Sequence, residues 1–173
     1  MYYKADYLSP LGKITLASDG ERLVGLWLPG QKAFLSGIKE ELQVQEDLQV
    51  FDAAKGWLDR YFAGERPEAL ELPLAPAGSA FRQQVWKLLC DIPYGETTTY
   101  KAIAEKIAQI QNRPCMSAQA VGGAVGHNPI SIIIPCHRVI GTDRSLTGYG
   151  GGIEIKQKLL ELEGIKIKDN KCI

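Results

Sequence analysis

Between residues 72 and 79 the chain reads LPLAPAGS, and Pro73, Pro76 and Gly78 together forbid a continuous helix or a central strand through that stretch. A chain of 173 residues that is 45% hydrophobic holds enough apolar matter for a substantial core, which excludes disorder and fibrous repeats. That core must be assembled from pieces on either side of the break. We read the break as a linker between two domains, residues 1–77 and 78–173. Charge divides at the same place. The first part carries eight Lys/Arg against twelve Asp/Glu and the second twelve against eight, so a formal net charge of zero is the sum of an acidic body and a mildly basic one. A basic half keeps a polyanionic partner open, with shallow salt dependence because the surplus is only four.

No stretch approaches the roughly 18 uncharged residues of a membrane span, and the N-terminus MYYKADYLSPLGK lacks the apolar run of a secretory signal. The expectation is a cytoplasmic protein without a membrane partner. Cys90, Cys115, Cys136 and Cys172 show no zinc-knuckle or CxxC spacing, and residues 1–77 contain neither Cys nor His, so no metal site is expected.

In the first part, Tyr2 to Leu8, Lys13 to Ser18 and Leu23 to Leu28 are separated by the turn signals Pro10-Leu11-Gly12 and Asp19-Gly20, a pattern that predicts an antiparallel meander. Phe51, Ala54, Leu58, Tyr61 and Phe62 then recur at helical spacing up to Gly64. A sheet capped by a helix follows, with no titratable cluster, and we read this half as a support without chemistry of its own. The second part begins with helices. Ser79 caps one with the stripe Phe81, Val85, Leu88 and Leu89. Thr97 to Thr99 introduce another with Tyr100, Ile103, Ala104 and Ile107, and Ser117 caps a third, AQAVGGAVG. The fold class is α+β, with helix-turn-helix geometry in the last two helices. Two mid-helix glycines, Gly122 and Gly123, cost roughly 1 kcal/mol each relative to alanine. They are tolerated where something approaches the backbone closely, which is either a neighbouring helix or a nucleic-acid backbone.

The chemistry is concentrated after that helix. His127-Asn128-Pro129 reads as a turn, and Ile130 to Ile134 as a short buried strand delivering Pro135-Cys136-His137-Arg138. A cysteine beside a histidine and an arginine has surroundings that favour the thiolate. A water or a turn at Pro135 would be needed for the two side chains to communicate, because neighbours on an extended chain face opposite ways. In the C-terminal helix, Ile153 to Glu163, a stripe of Ile155, Leu159 and Leu162 turns Glu163 inward and Glu161 outward. An inward carboxylate in a last turn needs a cationic or hydrogen-bonding partner, and His137 is the one we select. His127, Cys90, Cys115 and Cys172 are read as structural or incidental, Cys172 in a frayed tail.

The run NPISIIIPCHRVIG, residues 128 to 141, with SAQAVGGAVG before it and TGYGGG after it, closely resembles the active-site region of the O6-alkylguanine-DNA alkyltransferases. The resemblance covers residues 78 to 164. Residues 1–77 have the length and layout of that family's ribonuclease-H-like domain, and the C-terminal part that of its winged helix-turn-helix domain. The resemblance implies a suicide reaction without a cofactor, in which Cys136 accepts the alkyl group from O6 of guanine in double-stranded DNA and keeps it as a thioether. O4 of thymine stays open as a second donor. It further implies that His137 deprotonates Cys136 through a water, that Glu163 orients His137, and that Asn128 braces the active-site turn. Tyr100 would assist base rotation and donate to the departing guanine, while Tyr149, Gly150 and Gly151 would close over the flipped base. Backbone carbonyls at Cys136 and Val139 would accept from the guanine amino group. The DNA-contacting set would be Ser117, Ala118, Gln119, Ala120 and Gly122 of the third helix, entering the minor groove, together with Arg138. Gln119 stands where many members have an intercalating arginine, and weaker DNA binding is expected from it.

The protein is read as a monomer. Two other readings share these residues: an alkylated-base sensor without transfer, which would lack the acceptor cysteine, and a Cys-His-Glu hydrolase, which would need an oxyanion hole that the sequence does not display.

Overall fold

A computed structural model describes residues 1–32 and 34–173. Strands β1 (Tyr2–Ser9), β2 (Gly12–Ser18) and β3 (Leu23–Trp27) form the expected antiparallel meander. Gly12, at φ 108°, makes the first turn tight in a conformation that other residues rarely adopt. A fourth strand, β4 (Leu42–Val44), lies parallel to β1 and gives the order β3-β2-β1-β4. Its three residues carry too little alternation to be read from sequence. Helix α1 (Gln49–Phe62) lays Phe51, Ala54, Trp57, Leu58 and Tyr61 on the sheet.

The proline-rich break is extended and pinned: the amide of Leu23 donates to the Pro73 carbonyl at 2.8 Å, and that of Ala75 to the Leu23 carbonyl at 2.8 Å. Beyond it come α2 (Ala80–Cys90), β5 (Thr98–Thr99), α3 (Tyr100–Ile110) and α4 (Ala118–Gly126). The Ser79, Thr99 and Ser117 hydroxyls each accept an amide three residues on, as N-caps do. A one-turn 3-10 helix, Cys136–Arg138, leads into β6 (Val139–Ile140), which pairs in parallel with β5. Helix α5 (Ile153–Leu162) and the hairpin of β7 (Ile167–Lys168) and β8 (Lys171–Cys172) close the chain. Cys172 is thus buried in that hairpin and not in a frayed tail.

One apolar core runs through both halves, from Leu16, Leu26 and Phe51 to Val85, Ile107, Ile132 and Leu159. The largest departure from the sequence reading is at Ile130 to Ile134. Only Ile130 bridges a strand residue, Leu26, and the rest is a tight turn with Ile132 at φ 70°. Among the described residues, no helix is long and apolar enough to cross a membrane.

Candidate active site

The turn is organised by Asn128. Its side-chain amide donates to the carbonyls of Ile134 at 2.8 Å and Ile130 at 3.3 Å, and its oxygen accepts the Ile130 amide at 3.0 Å. A run of isoleucines favours a strand, but here its backbone groups are satisfied by the Asn128 side chain together with the carbonyls of Leu26, Ile130 and Ser131, so the chain can turn inside the core. The turn sets Cys136 and His137 at the head of the 3-10 helix, both buried.

Behind the cysteine lies a closed polar network. His137 Nε2 is 2.5 Å from Glu163 Oε2, and Arg138 Nε donates to Glu163 Oε1 at 2.8 Å. The Gly95 amide donates to Oε1 at 3.0 Å and the Tyr61 hydroxyl to Oε2 at 2.7 Å. Four donors fill the acceptor sites of the carboxylate. Burial alone would raise the Glu163 carboxyl, but the bonds and charges of His137 and Arg138 more than offset it and bring it down to about 2. Burial holds the His137 imidazole below its ordinary range, against the pull of Glu163. It also pushes the Cys136 thiol up, against the Asn128 hydrogen bond and the Lys156 ammonium, which pull the other way. Burial thus works against both the thiolate expected beside Arg138 and the imidazolium. His137 Nδ1 has no protein partner among the described residues, which leaves this nitrogen free to accept a proton.

In front of Cys136 opens a cavity of about 400 Å³, lined among others by Tyr100, Gly122, Gly126, Asn128, Tyr149 and Gly150. The Tyr100 hydroxyl donates to the Thr147 carbonyl at 3.0 Å. Gln31 and Lys32, from the N-terminal half, also line this cavity. Gln31 Oε1 accepts the Ser131 hydroxyl at 3.1 Å and the Leu28 amide at 2.9 Å, and the Lys32 amide donates to the Gly150 carbonyl at 3.0 Å. A Cβ at Gly150 would stand 3.3 Å from Gln31, and one at Gly151 2.8 Å from Leu28, so the 149–151 loop sits against the N-terminal half because it lacks side chains there. Gly151 itself lies behind Tyr149, outside the cavity lining.

The two halves of the chain match two family descriptions: residues 1–76 the ribonuclease-like domain, and residues 80–165 the DNA binding domain, of 6-O-methylguanine DNA methyltransferase. The chain belongs to this methyltransferase family. It is 43% identical over 167 residues to the methylated-DNA–protein-cysteine methyltransferase of Haemophilus influenzae, covering 96% of this chain and 89% of that one. With the protein of the same name from Methanosarcina barkeri it shares 45% identity over 94% of this chain and 97% of the other. Among solved structures it is similar to the O6-methylguanine methyltransferase of Mycobacterium tuberculosis, at a TM-score of 0.77, 44% identity, and coverage of 94% and 93%. It is also similar to the structure described as OGT of that organism in complex with DNA, at a TM-score of 0.78, 45% identity, and coverage of 94% and 91%.

Within this methyltransferase fold, α4 presents Ser117, Ala118, Gln119 and Ala120 to solvent. A Cβ at Gly123 or Gly126 would meet nothing within 4 Å, and at Gly122 only the Tyr100 ring at 3.7 Å. Tight helix packing therefore does not account for Gly123 and Gly126.

Two expectations need correction, the DNA contact of Arg138 and the inward stripe of α5. Arg138 is buried and does not reach a DNA-facing surface: its guanidinium is held by Glu163, by the Ile92 carbonyl at 2.6 Å and over the Tyr94 ring. The Val139 carbonyl accepts the Lys156 ammonium at 2.6 Å, which leaves its second lone pair for the expected guanine contact. Lys156 is fully buried, bonds also to the Thr147 carbonyl at 2.9 Å, and is brought down by burial to about 8. The buried stripe of α5 is Lys156, Leu159, Leu160 and Glu163, whereas Leu162 is exposed. His127 closes α4, its Nδ1 2.7 Å from the Gly123 carbonyl. The N-terminal half is also more than a passive support, since Tyr61, Gln31 and Lys32 reach the site. No periodicity or motif distinguishes these three in the sequence.

Proposed function

We propose that this chain repairs DNA by moving an alkyl group irreversibly from O6 of guanine to Cys136. The observation that carries the reading is a buried cysteine facing a cavity of base size, followed in the same 3-10 helix by a histidine bonded to a fully hydrogen-bonded Glu163. His137 takes the thiol proton through a bridging water at its free nitrogen, and Glu163 stabilises the imidazolium that results. The sulfur–carbon bond forms as the carbon–O6 bond breaks. The electron pair leaves with the purine, which takes up the proton, so in the net balance the thiol hydrogen ends on guanine. Tyr100, beside the departing base, turns its hydroxyl from Thr147 to assist that uptake. Asn128 keeps the turn in register. Tyr149 and Gly150 wall the flipped base, which must leave the stack because O6 is inaccessible within it.

The exposed face of α4 meets the minor groove, where small residues admit the sugar-phosphate backbone. Gln119 fills part of the space the extruded base leaves. The division of labour follows the proline-rich break, with residues 78–173 carrying acceptor and DNA face. The reading also places the protein in the cytoplasm, where an acceptor thiol stays reduced. Methylated duplex supplied in excess tests it. Repair should stop at one methyl group per protein molecule; continued turnover, as a hydrolase would give, contradicts it.

A further inference from the structure

Tyr61 is the only part of the N-terminal half that touches the His-Glu pair among the hydrogen bonds of the described residues. Its ring is fully buried, stacked on Trp57 with centroids 5.5 Å apart, and set edge-on to Tyr94 at 5.8 Å and to His137 at 6.5 Å. Its hydroxyl shares Glu163 Oε2 with the imidazole, while Arg138 and Gly95 occupy Oε1. We propose that Tyr61 is a positioning residue for His137 and Glu163, through which the N-terminal half sets how strongly the imidazole holds a proton.

Two effects follow from one hydroxyl. Packed among Trp57, Tyr94 and Phe62, the ring cannot shift, so its hydrogen bond holds the carboxylate in the plane that His137 needs. A donor on Oε2 also draws charge from the oxygen that faces the imidazole, which weakens the stabilisation of the imidazolium. Tyr61 is thus a brake on the basicity of His137. The other charged groups acting on that ring are Glu163 at the end of α5, Lys156 within it, and Arg138 from the ring's own turn. Neither cation bonds Oε2, since Arg138 holds Oε1 and Lys156 the Val139 carbonyl, so removing the phenol hydroxyl alters this oxygen selectively. The proposal rests on His137 acting as the base for Cys136, but it can be read without transfer.

The test is the protonation midpoint of the His137 ring nitrogens, followed by nitrogen-15 NMR in the full chain, with Tyr7→Phe as control because the Tyr7 hydroxyl donates to Asp59 and not to Glu163. Tyr61→Phe should raise the midpoint by about half a pH unit or more. 3-Fluorotyrosine placed at position 61, a stronger donor of the same shape, should lower it. Tyr7→Phe should leave it unchanged. In Glu163→Gln, adding Tyr61→Phe should produce no further shift. A Tyr61→Phe protein that melts earlier yet keeps the His137 midpoint of the parent, or a fluorotyrosine protein that shifts it upward, overturns the proposal. Failure of methyl transfer with these shifts intact would instead count against the repair reading.

Discussion

Helix α4 and the turn from Ser131 to Arg138 are close in sequence and both rich in small or apolar residues, yet they are finished in opposite ways. The turn is buried throughout, its backbone satisfied by Asn128 and its charges matched one for one around Glu163. Helix α4 turns Gly123, Gly126 and an exposed edge of alanines towards empty space. A buried, saturated site fixes the position of a nucleophile to a fraction of an ångström. A glycine face left open lowers the chain's own stability and gains nothing unless another surface is brought against it. The difference separates the part that reacts from the part that docks.

Substitutions in the two regions should therefore fail differently. Glu163→Ala strips Arg138 and His137 of their acceptor in the core and should cost about 3–5 kcal/mol of stability, read by chemical denaturation, with loss of transfer. Its pH signature follows from the depressed carboxyl. The group adds stability above its unfolded value of 4.5, and this is lost as pH falls from there towards about 2. Glu163→Ala should lack that acid limb.

Lys156→Met removes the ammonium tying Val139 to the 147–148 loop and should slow single-turnover transfer about tenfold, a barrier change of about 1.4 kcal/mol. Quenched-flow kinetics on methylated duplex would show it. A full-rate Lys156→Met protein would remove this residue from the account.

On α4 the sign reverses. Gly123→Ala places a methyl group in open space and should raise stability by about 1 kcal/mol while weakening duplex binding in fluorescence anisotropy. Should both stability and affinity rise, the docking face lies elsewhere. Gln119→Arg, the smallest effect, should tighten duplex binding several-fold at matched salt and change stability by no more than about 0.5 kcal/mol.

Much of this contrast was legible in the sequence, because it lies in spacing and composition. The Ser79 and Ser117 caps and the threonine cluster at 97–99 marked the starts of α2, α4 and α3, and the period of α5 turned Glu163 inward. What escaped has a common cause. Lys156 and Arg138 are charged side chains buried against carbonyls and a carboxylate supplied by distant elements, partners that spacing along the chain does not reveal. Ile130 to Ile134 read as a strand because the residue that unmakes the strand, Asn128, acts through side-chain hydrogen bonds to the backbone two and six positions on, which a hydrophobic pattern does not register. Tyr61 looked like one more core aromatic, and its contact with Glu163 spans 102 positions.

The central claim is that Cys136 is the terminal acceptor of the alkyl group. Peptide mass spectrometry after incubation with an O6-methylguanine duplex tests it most directly. The account predicts one added methyl group, confined to the peptide containing Cys136 and absent from Cys136→Ala. An unmodified Cys136 peptide alongside repaired DNA, or a methyl group found on another residue, would contradict it.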